Sequence, residues 1–394
     1  MIDRHPYNLS GLKSHALLIA FLQFTLILPG QVLPESGIFT VEKILPSTPV
    51  KDQNRTNTCW AFSGLSLLES ELLRLGKGCY DLSEMFIVRH VYQEKAVKYV
   101  RMHGATGFAG GGAFNDVTGA ILEYGIVPDS LYTGLKPGEN GYDHFGMDSL
   151  LRAYVDKVIQ NESGVLPEDW YKRFCSLLDS CLGSVPGSFP VNGTTCTPQS
   201  YAQDLGLDLN DYILLSSFTH HPLYEKFIIE IPDNWSWGEV YNISISELTA
   251  VIDHAIANGY TVAWAADVSE KDFSRSTGVA AVTVNEQTDS PFVLNENLTL
   301  SQVAPLSEKE ITPEMRQEAF DNYATTDDHG MHIIGIATDK FGQELYVVKN
   351  SWGTDSGPHQ GYYFVSKAYV RYKTTTLMLN RKALPDDIIK KLFR

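Results

Sequence analysis

The hydrophobic period changes once along this chain, and that change limits the fold more than any other feature. Leu65, Leu68, Leu72 and Leu75 recur at steps of three and four after Cys59 and stop at Gly76, which predicts an amphipathic helix opening on a cysteine. Ser83 caps a second predicted helix that runs to about Val100, and Phe114–Tyr124 is a third, ended by Gly125. The last third instead carries short apolar runs bounded by Gly, Asp and Asn turns. These are Tyr260–Ala266, Val279–Val284, Met331–Thr338, Glu344–Lys349, Tyr362–Ser366 and Thr374–Leu379. Helices gathered at one end and strands at the other predict an α+β protein.

Between the two, from Leu135 to Ile245, the texture turns to Gly, Pro, Asn and aromatic residues, with one helical stretch at Trp170–Leu182 and alternation at Phe227, Ile229 and Ile231. The expected division is a helical lobe over 31–134, an insertion over 135–245, a β-rich lobe over 246–379 and a tail over 380–394. Ahead of these, Ala16–Leu28 is a 13-residue apolar run that follows Arg4 and Lys13 and precedes Pro29–Gly30. That pattern predicts a signal peptide over residues 1–30, export to the periplasm or the exterior, and no stable membrane insertion after its removal. With 31 Lys+Arg against 47 Asp+Glu, the formal net charge of -16 repels phosphate backbones and excludes nucleic acid as a partner.

The five cysteines, at 59, 79, 175, 181 and 196, are too few for a disulfide scaffold and form no zinc-type pair. An odd count leaves one for chemistry. Four local features stand out as its partners: Gln53 six residues before Cys59, the glycine run Gly110–Gly112, Asp328-His329-Gly330-Met331, and Asn350-Ser351-Trp352-Gly353. Alone, each has a bland reading as a buried thiol, a flexible turn or a packing histidine. Together and in this order they carry more.

Gln53, Cys59-Trp60-Ala61-Phe62-Ser63, Leu82-Ser83-Glu84, Gly111-Gly112, Tyr124-Gly125-Ile126, Asp328–Met331 and Asn350–Gly353 resemble the papain-like cysteine peptidase family. The resemblance implies a papain-like two-lobe fold, a helical lobe against an antiparallel, barrel-like β lobe, with a large mid-chain insertion. Two departures resemble the bleomycin hydrolase/aminopeptidase C branch. Thr56 stands where the usual exported members have a disulfide cysteine, and His329 and Asn350 lie 270 and 291 residues after Cys59 instead of roughly 130–150.

A cysteine in the first turn of a helix faces unpaired N–H groups and the positive end of the dipole, which favour a thiolate. By resemblance, Cys59 is the nucleophile, His329 the general base and acid, Asn350 the group that orients the ring, and Gln53 with the Cys59 N–H the oxyanion site. Trp352 is expected to cover the His–Asn bond. Gly111 and Gly112 are expected to pair with a peptide substrate as an added strand. No metal or organic cofactor is needed. His332, three residues beyond His329, is expected to be a packing or surface histidine. The adjacent His220 and His221 are expected to point apart and to be structural, and Cys79, Cys175, Cys181 and Cys196 to be buried free thiols.

The resemblance implies hydrolysis of peptide bonds, with an aminopeptidase favoured over an endopeptidase and over a catalytically silent binding module, and leaves assembly into a homo-oligomer open. In the resembling branch the C-terminus lies in the cleft. Here Pro385-Asp386-Asp387 predicts a short helix near the end of the tail, expected to dock on the body more readily than to fill the cleft.

Overall fold

The computed structural model describes residues 38–160, 164–284 and 307–393, so the expected signal peptide lies outside the described residues. Strand β1 (Phe39–Ile44) leads into α1 (Cys59–Arg74), α2 (Glu84–Arg101) and α3 (Phe114–Tyr124), all close to their expected bounds. Next come α4 (Phe145–Ile159), α5 (Trp170–Leu182), the hairpin β2 (Phe189–Val191) and β3 (Thr194–Cys196), and α6 (Pro198–Leu205). The chain then crosses to β4 (Tyr212–Ser216), β5 (Lys226–Ile228), β6 (Glu239–Asn242), α7 (Ile245–Ala257), β7 (Val262–Ala266), β8 (Phe273–Ser274) and β9 (Val279–Ala280). It closes with α8 (Pro313–Asp321), β10 (His329–Asp339), β11 (Glu344–Lys349), β12 (Tyr362–Ser366), α9 (Lys367–Lys373), β13 (Thr374–Asn380) and α10 (Asp386–Leu392).

Among the described residues one large sheet runs in the order β5-β6-β4-β13-β7-β10-β11-β12-β9-β8, with β1 pairing β10 beside that path. Most pairings are antiparallel. The stretch expected as an insertion divides between the lobes. Met147, Leu151, Phe174, Leu178 and Tyr201 from α4, α5 and α6 enter the same core as α1, α2 and α3, while β4 pairs β13 and extends the sheet. Composition suggested a separate segment because its turns are polar; the apolar faces of its helices decide where it packs.

Helix α1 lies between the lobes, against α2 and α3 on one side and β7 and β10 on the other. Every residue from Trp60 to Leu72 is therefore buried. A fully buried leucine contributes about 1.5–3 kcal/mol, and Leu65, Leu68 and Leu72 all qualify. Gly330 permits the close approach of β10, because a Cβ there would come 2.7 Å from Ser63 Oγ and 3.4 Å from the Cys59 carbonyl carbon. No helix of the described residues is long and apolar enough to cross a membrane.

Beneath this contact lies a charged network with no counterpart in the sequence expectations. Glu69 on α1 accepts hydrogen bonds from Thr48 Oγ1 at 2.6 Å and from the Leu82 N–H at 2.9 Å, and Lys51 Nζ stands 3.6 Å away. Lys51 also pairs with Glu84 at 2.7 Å, and Lys349 Nζ donates to the Thr48 carbonyl at 2.7 Å. The network ties the segment ahead of Gln53 and the end of β11 to the same helix. Removing one partner of a buried charge cluster costs about 3–5 kcal/mol. Glu69→Ala is therefore expected to lower unfolding free energy in urea by about that amount, whereas breaking the exposed Lys226–Glu239 pair costs no more than about 1 kcal/mol. A Glu69→Ala loss as small as that of the exposed pair would contradict the role given to the network.

Candidate active site

Cys59 is the first residue of α1, and Thr58 before it makes no side-chain cap, so the first-turn N–H groups are not consumed by one. The backbone N–H groups of Trp60 and Gly330 reach the thiol. In the β lobe, the β10–β11 register pairs His332 with Lys349 and so brings His329 and Asn350 to the same end of the sheet. His329 Nε2 donates to Asn350 Oδ1 at 2.6 Å, and that oxygen also accepts the Ser351 N–H at 2.7 Å. The second bond marks it as the amide oxygen, so the Nε2 proton is assigned and Nδ1 is left free of it.

Trp352 stacks on the His329 ring with centroids 4.5 Å apart, and the Arg275 guanidinium lies 3.9 Å from the Trp352 ring centroid. The indole thus covers the imidazole and separates it from a cation. Gln53 is locked from three directions. Its Nε2 donates to the Thr56 carbonyl at 2.8 Å, its Oε1 accepts Ser351 Oγ at 2.6 Å, and its own N–H donates to the Ser351 carbonyl at 2.9 Å. An amide nitrogen has two hydrogens, so one remains for a ligand.

Cys59 and His329 line one cleft together with Gly112, Ile231, Asp233 and Asp327. The thiol and the imidazole make no hydrogen bond to each other among the described residues. Burial pushes the Cys59 thiol up to about 12; the Gly330 and Trp60 N–H groups pull it down, and the charges of Asp327 and Asp233 add to the rise. Burial pulls His329 down to about 4, partly opposed by the bond to Asn350 and helped by Arg275. Both shifts run toward the neutral thiol and imidazole and away from the ion pair.

The structure places the two glycines differently. Gly112 is partly open to the cleft beside Trp60, whereas Gly111 is buried under Asp233: a Cβ on Gly111 would come 1.9 Å from Asp233 Oδ2. The Gly111 carbonyl is a partner of the Lys95 ammonium, which also donates to the Ala109 carbonyl at 2.8 Å. Burial holds Lys95 down at about 8. Asp233 and Lys95 carry no sequence signal, because each reaches the site from a distant segment.

Asp233 rides on the connection between β5 and β6. That connection crosses to the helical lobe, where Trp235 Nε1 donates to Asp116 Oδ2 at 2.8 Å and Asn115 Nδ2 donates to Ser236 Oγ at 2.8 Å. Asn234 braces it from within, through the Ile229 and Gly238 carbonyls at 3.0 Å each. The Asp233 carboxylate accepts no hydrogen bond from a described residue.

His332 is buried, with Nδ1 2.8 Å from Ser66 Oγ on α1, as a packing histidine. All five cysteines are free thiols, but Cys79 is exposed and Cys175 and Cys181 are half-buried, so of the four non-site thiols only Cys196 is buried as expected. The tail helix α10 docks by Ile388 and Leu392 on the β-lobe core, with Lys391 2.6 Å from Glu247 on α7. His220 and His221 do not point apart. They sit in a turn, not in extended chain, and both rings meet Glu230.

The profile of the peptidase C1-like family matches residues 191–394. Aminopeptidase C of Lactobacillus delbrueckii subsp. lactis is 23% identical over 395 residues, covering 89% of this chain and 83% of that protein. Aminopeptidase C of Lactobacillus helveticus is 20% identical over 397 residues, covering 90% and 83%. The crystal structure of PepW from Lactobacillus rhamnosis superposes with a TM-score of 0.69 at 18% identity, over 89% of this chain and 84% of that one, which establishes the shared two-lobe α+β fold.

The cleft charge generates a pH expectation. Burial, with Asp233 and Asp328 adding to it, pushes the Asp327 carboxyl up to about 7. Above that pH Asp327 is charged and opposes the thiolate; below it the opposition is gone. Asp327→Asn is expected to speed iodoacetamide alkylation of Cys59, followed by mass spectrometry of its peptide, above about pH 7, with the difference vanishing toward pH 5. Coincident profiles across the whole range would show that this carboxylate does not act on the thiol.

Proposed function

The chain belongs to the peptidase C1-like family, and from that footing we propose that it is a cysteine aminopeptidase, removing N-terminal residues from peptides through a thioester on Cys59. The observation that carries the exopeptidase reading is the Asp233 carboxylate lying over Gly111, in the cleft that holds Cys59 and His329. A substrate running past Cys59 along the Gly111 edge would meet the 229–238 connection. A substrate that ends there with a free amino group meets instead a carboxylate that accepts no hydrogen bond from a described residue. The relatives named aminopeptidase C, matched over most of both chains, support the same reading.

In this account the substrate's α-ammonium binds Asp233, with Asp327 close by. Its positive charge offsets the two carboxylates that hold the thiol up, so binding favours transfer of the Cys59 proton to His329 Nδ1. The thiolate attacks the scissile carbonyl. The remaining Gln53 Nε2–H and the Cys59 N–H receive the oxyanion, and the imidazolium protonates the leaving amine. Water, deprotonated by His329, then hydrolyses the thioester. Asn350 and Trp352 keep the ring in place through both steps. The segment expected at residues 1–30 to direct export would place these substrates outside the cytoplasm.

An endopeptidase would need the Gly111 edge open, and a silent binding module would have no use for the locked Gln53 amide and the assigned imidazole tautomer. Free-amine aminoacyl anilides are expected to be hydrolysed and their N-acetyl counterparts not, with all turnover lost in Cys59→Ala. Charge-assisted bonds are worth about 1.5–3 kcal/mol, so Asp233→Asn is expected to lower kcat/KM for free-amine substrates by about 10- to 100-fold. Equal turnover of blocked and free substrates by the unaltered protein would overturn the aminopeptidase reading.

A further inference from the structure

Outside the cleft, one cluster combines donors of metal-binding type with hydrogen bonds that orient them. We propose that His220, His221 and Glu230 form a binding site for one zinc-class divalent cation at the foot of the connection that carries Asp233. The three ligand atoms lie within 4.8 Å of one another. His220 Nε2 is 3.2 Å from Glu230 Oε2, and His221 Nε2 is 2.8 Å from Glu230 Oε1. Tetrahedral zinc with nitrogen and oxygen ligands at about 2.0–2.1 Å separates its ligand atoms by roughly 3.3 Å, which falls within the 4.8 Å span of these atoms.

The partners behind His220 set its tautomer. Gln317 Oε1 accepts the Thr219 N–H at 2.7 Å and the His220 N–H at 3.3 Å, while Gln317 Nε2 donates to Asp321 Oδ1 at 2.8 Å, so the amide oxygen is the atom turned toward the turn. His220 Nδ1 lies 3.0 Å from that oxygen and is therefore its protonated nitrogen. A neutral His220 then points the bare lone pair of Nε2 at a carboxylate oxygen. Two acceptors facing each other need a proton or a metal cation between them, and an Nδ1–H held by an amide oxygen is the outer contact that orients a metal-binding imidazole.

The rings are also held in place before any ion arrives. His221 stacks on Phe227 with centroids 4.3 Å apart, and His220 lies parallel to Phe320 at 5.9 Å. Both rings are about a third exposed and Glu230 is more open, which leaves room for water at the remaining coordination position. Two imidazoles and one carboxylate suit zinc and its neighbours better than calcium or magnesium. Glu230 stands three residues before Asp233, so the ion would clamp the foot of that connection to the turn before β5.

The test uses the full chain in a Cys59→Ala background, in which the thiol–imidazole pair of the cleft cannot take the metal and activity plays no part. After chelator treatment, titration with Co²⁺ is expected to give one equivalent with tetrahedral d–d absorption and no thiolate charge-transfer band, displaced by Zn²⁺. His221→Ala and Glu230→Gln, both at surface positions, are each expected to weaken binding at least about tenfold. Gln317→Ala, which leaves all three ligands in place but removes the bond to His220 Nδ1 together with those to the Thr219–His220 turn, is expected to weaken it by about 10- to 100-fold. Uptake unchanged in a His220→Ala/His221→Ala double variant, a thiolate band in the cobalt spectrum, or no stoichiometric uptake would each overturn the proposal. Because no turnover is measured, these results stand whether or not the chain proves to be an aminopeptidase.

Discussion

The contact between the start of α1 and the start of β10 is the constraint from which the site follows. Cys59 belongs to the helical lobe and His329 to the sheet, and they share a cleft only because Gly330 lets the strand backbone approach Ser63 and Cys59. Burial of α1 on nearly every side makes that approach rigid, and the Lys51, Glu69, Glu84 and Lys349 network sets the flanking segments on the same frame. Gln53 and Asn350 then sit one or two residues beyond fixed points. Their hydrogen bonds to each other's segment, through Ser351, join the oxyanion side to the imidazole side.

Charge determines what this frame selects. Most of the electrostatics around the thiol opposes ionisation, since burial and two carboxylates outweigh the N–H groups at the helix start. A cleft of that kind is poorly suited to attack on any passing carbonyl and well suited to one that arrives with a cation. The proposed function uses the same carboxylate, Asp233, both to recognise a free amine and to make ionisation of the nucleophile depend on its presence. The tail was expected to dock on the body, and α10 does so on α7; the carboxylate that the proposed function uses comes instead from the β5–β6 connection, which reaches across to the helical lobe.

Elements with a strong period or a clear stop were legible in the sequence. The bounds of α3 and α5 coincide with their expectation because Gly125 and Gly183 follow their last turns, and β11 and β12 do so because each is an apolar run between turn residues. Strand β10 begins two residues earlier than its apolar run, since pairing of His329 with Ala266 on β7 extends it. Helices α4 and α7 were missed although their signals exist: Met147, Leu151, Val155 and Val158 recur on one face, and Ser244 with Glu247 forms a capping box. The four catalytic candidates were legible because their local surroundings are distinctive. Lys95, Asp233 and the Glu69 network were not, because their roles arise only when distant segments meet.

The proposed reaction depends on one arrangement: a nucleophile on one lobe, a base on the other, and an amine anchor delivered by the loop between β5 and β6. A crystal structure with a free-amine aminoacyl aldehyde bound would test it most directly. The predicted result is a thiohemiacetal on Cys59 whose oxygen lies on Gln53 Nε2 and the Cys59 N–H, with the inhibitor's ammonium on Asp233. An adduct whose amine turns away from Asp233, or one that displaces the 229–238 connection and runs on along Gly111, would contradict it.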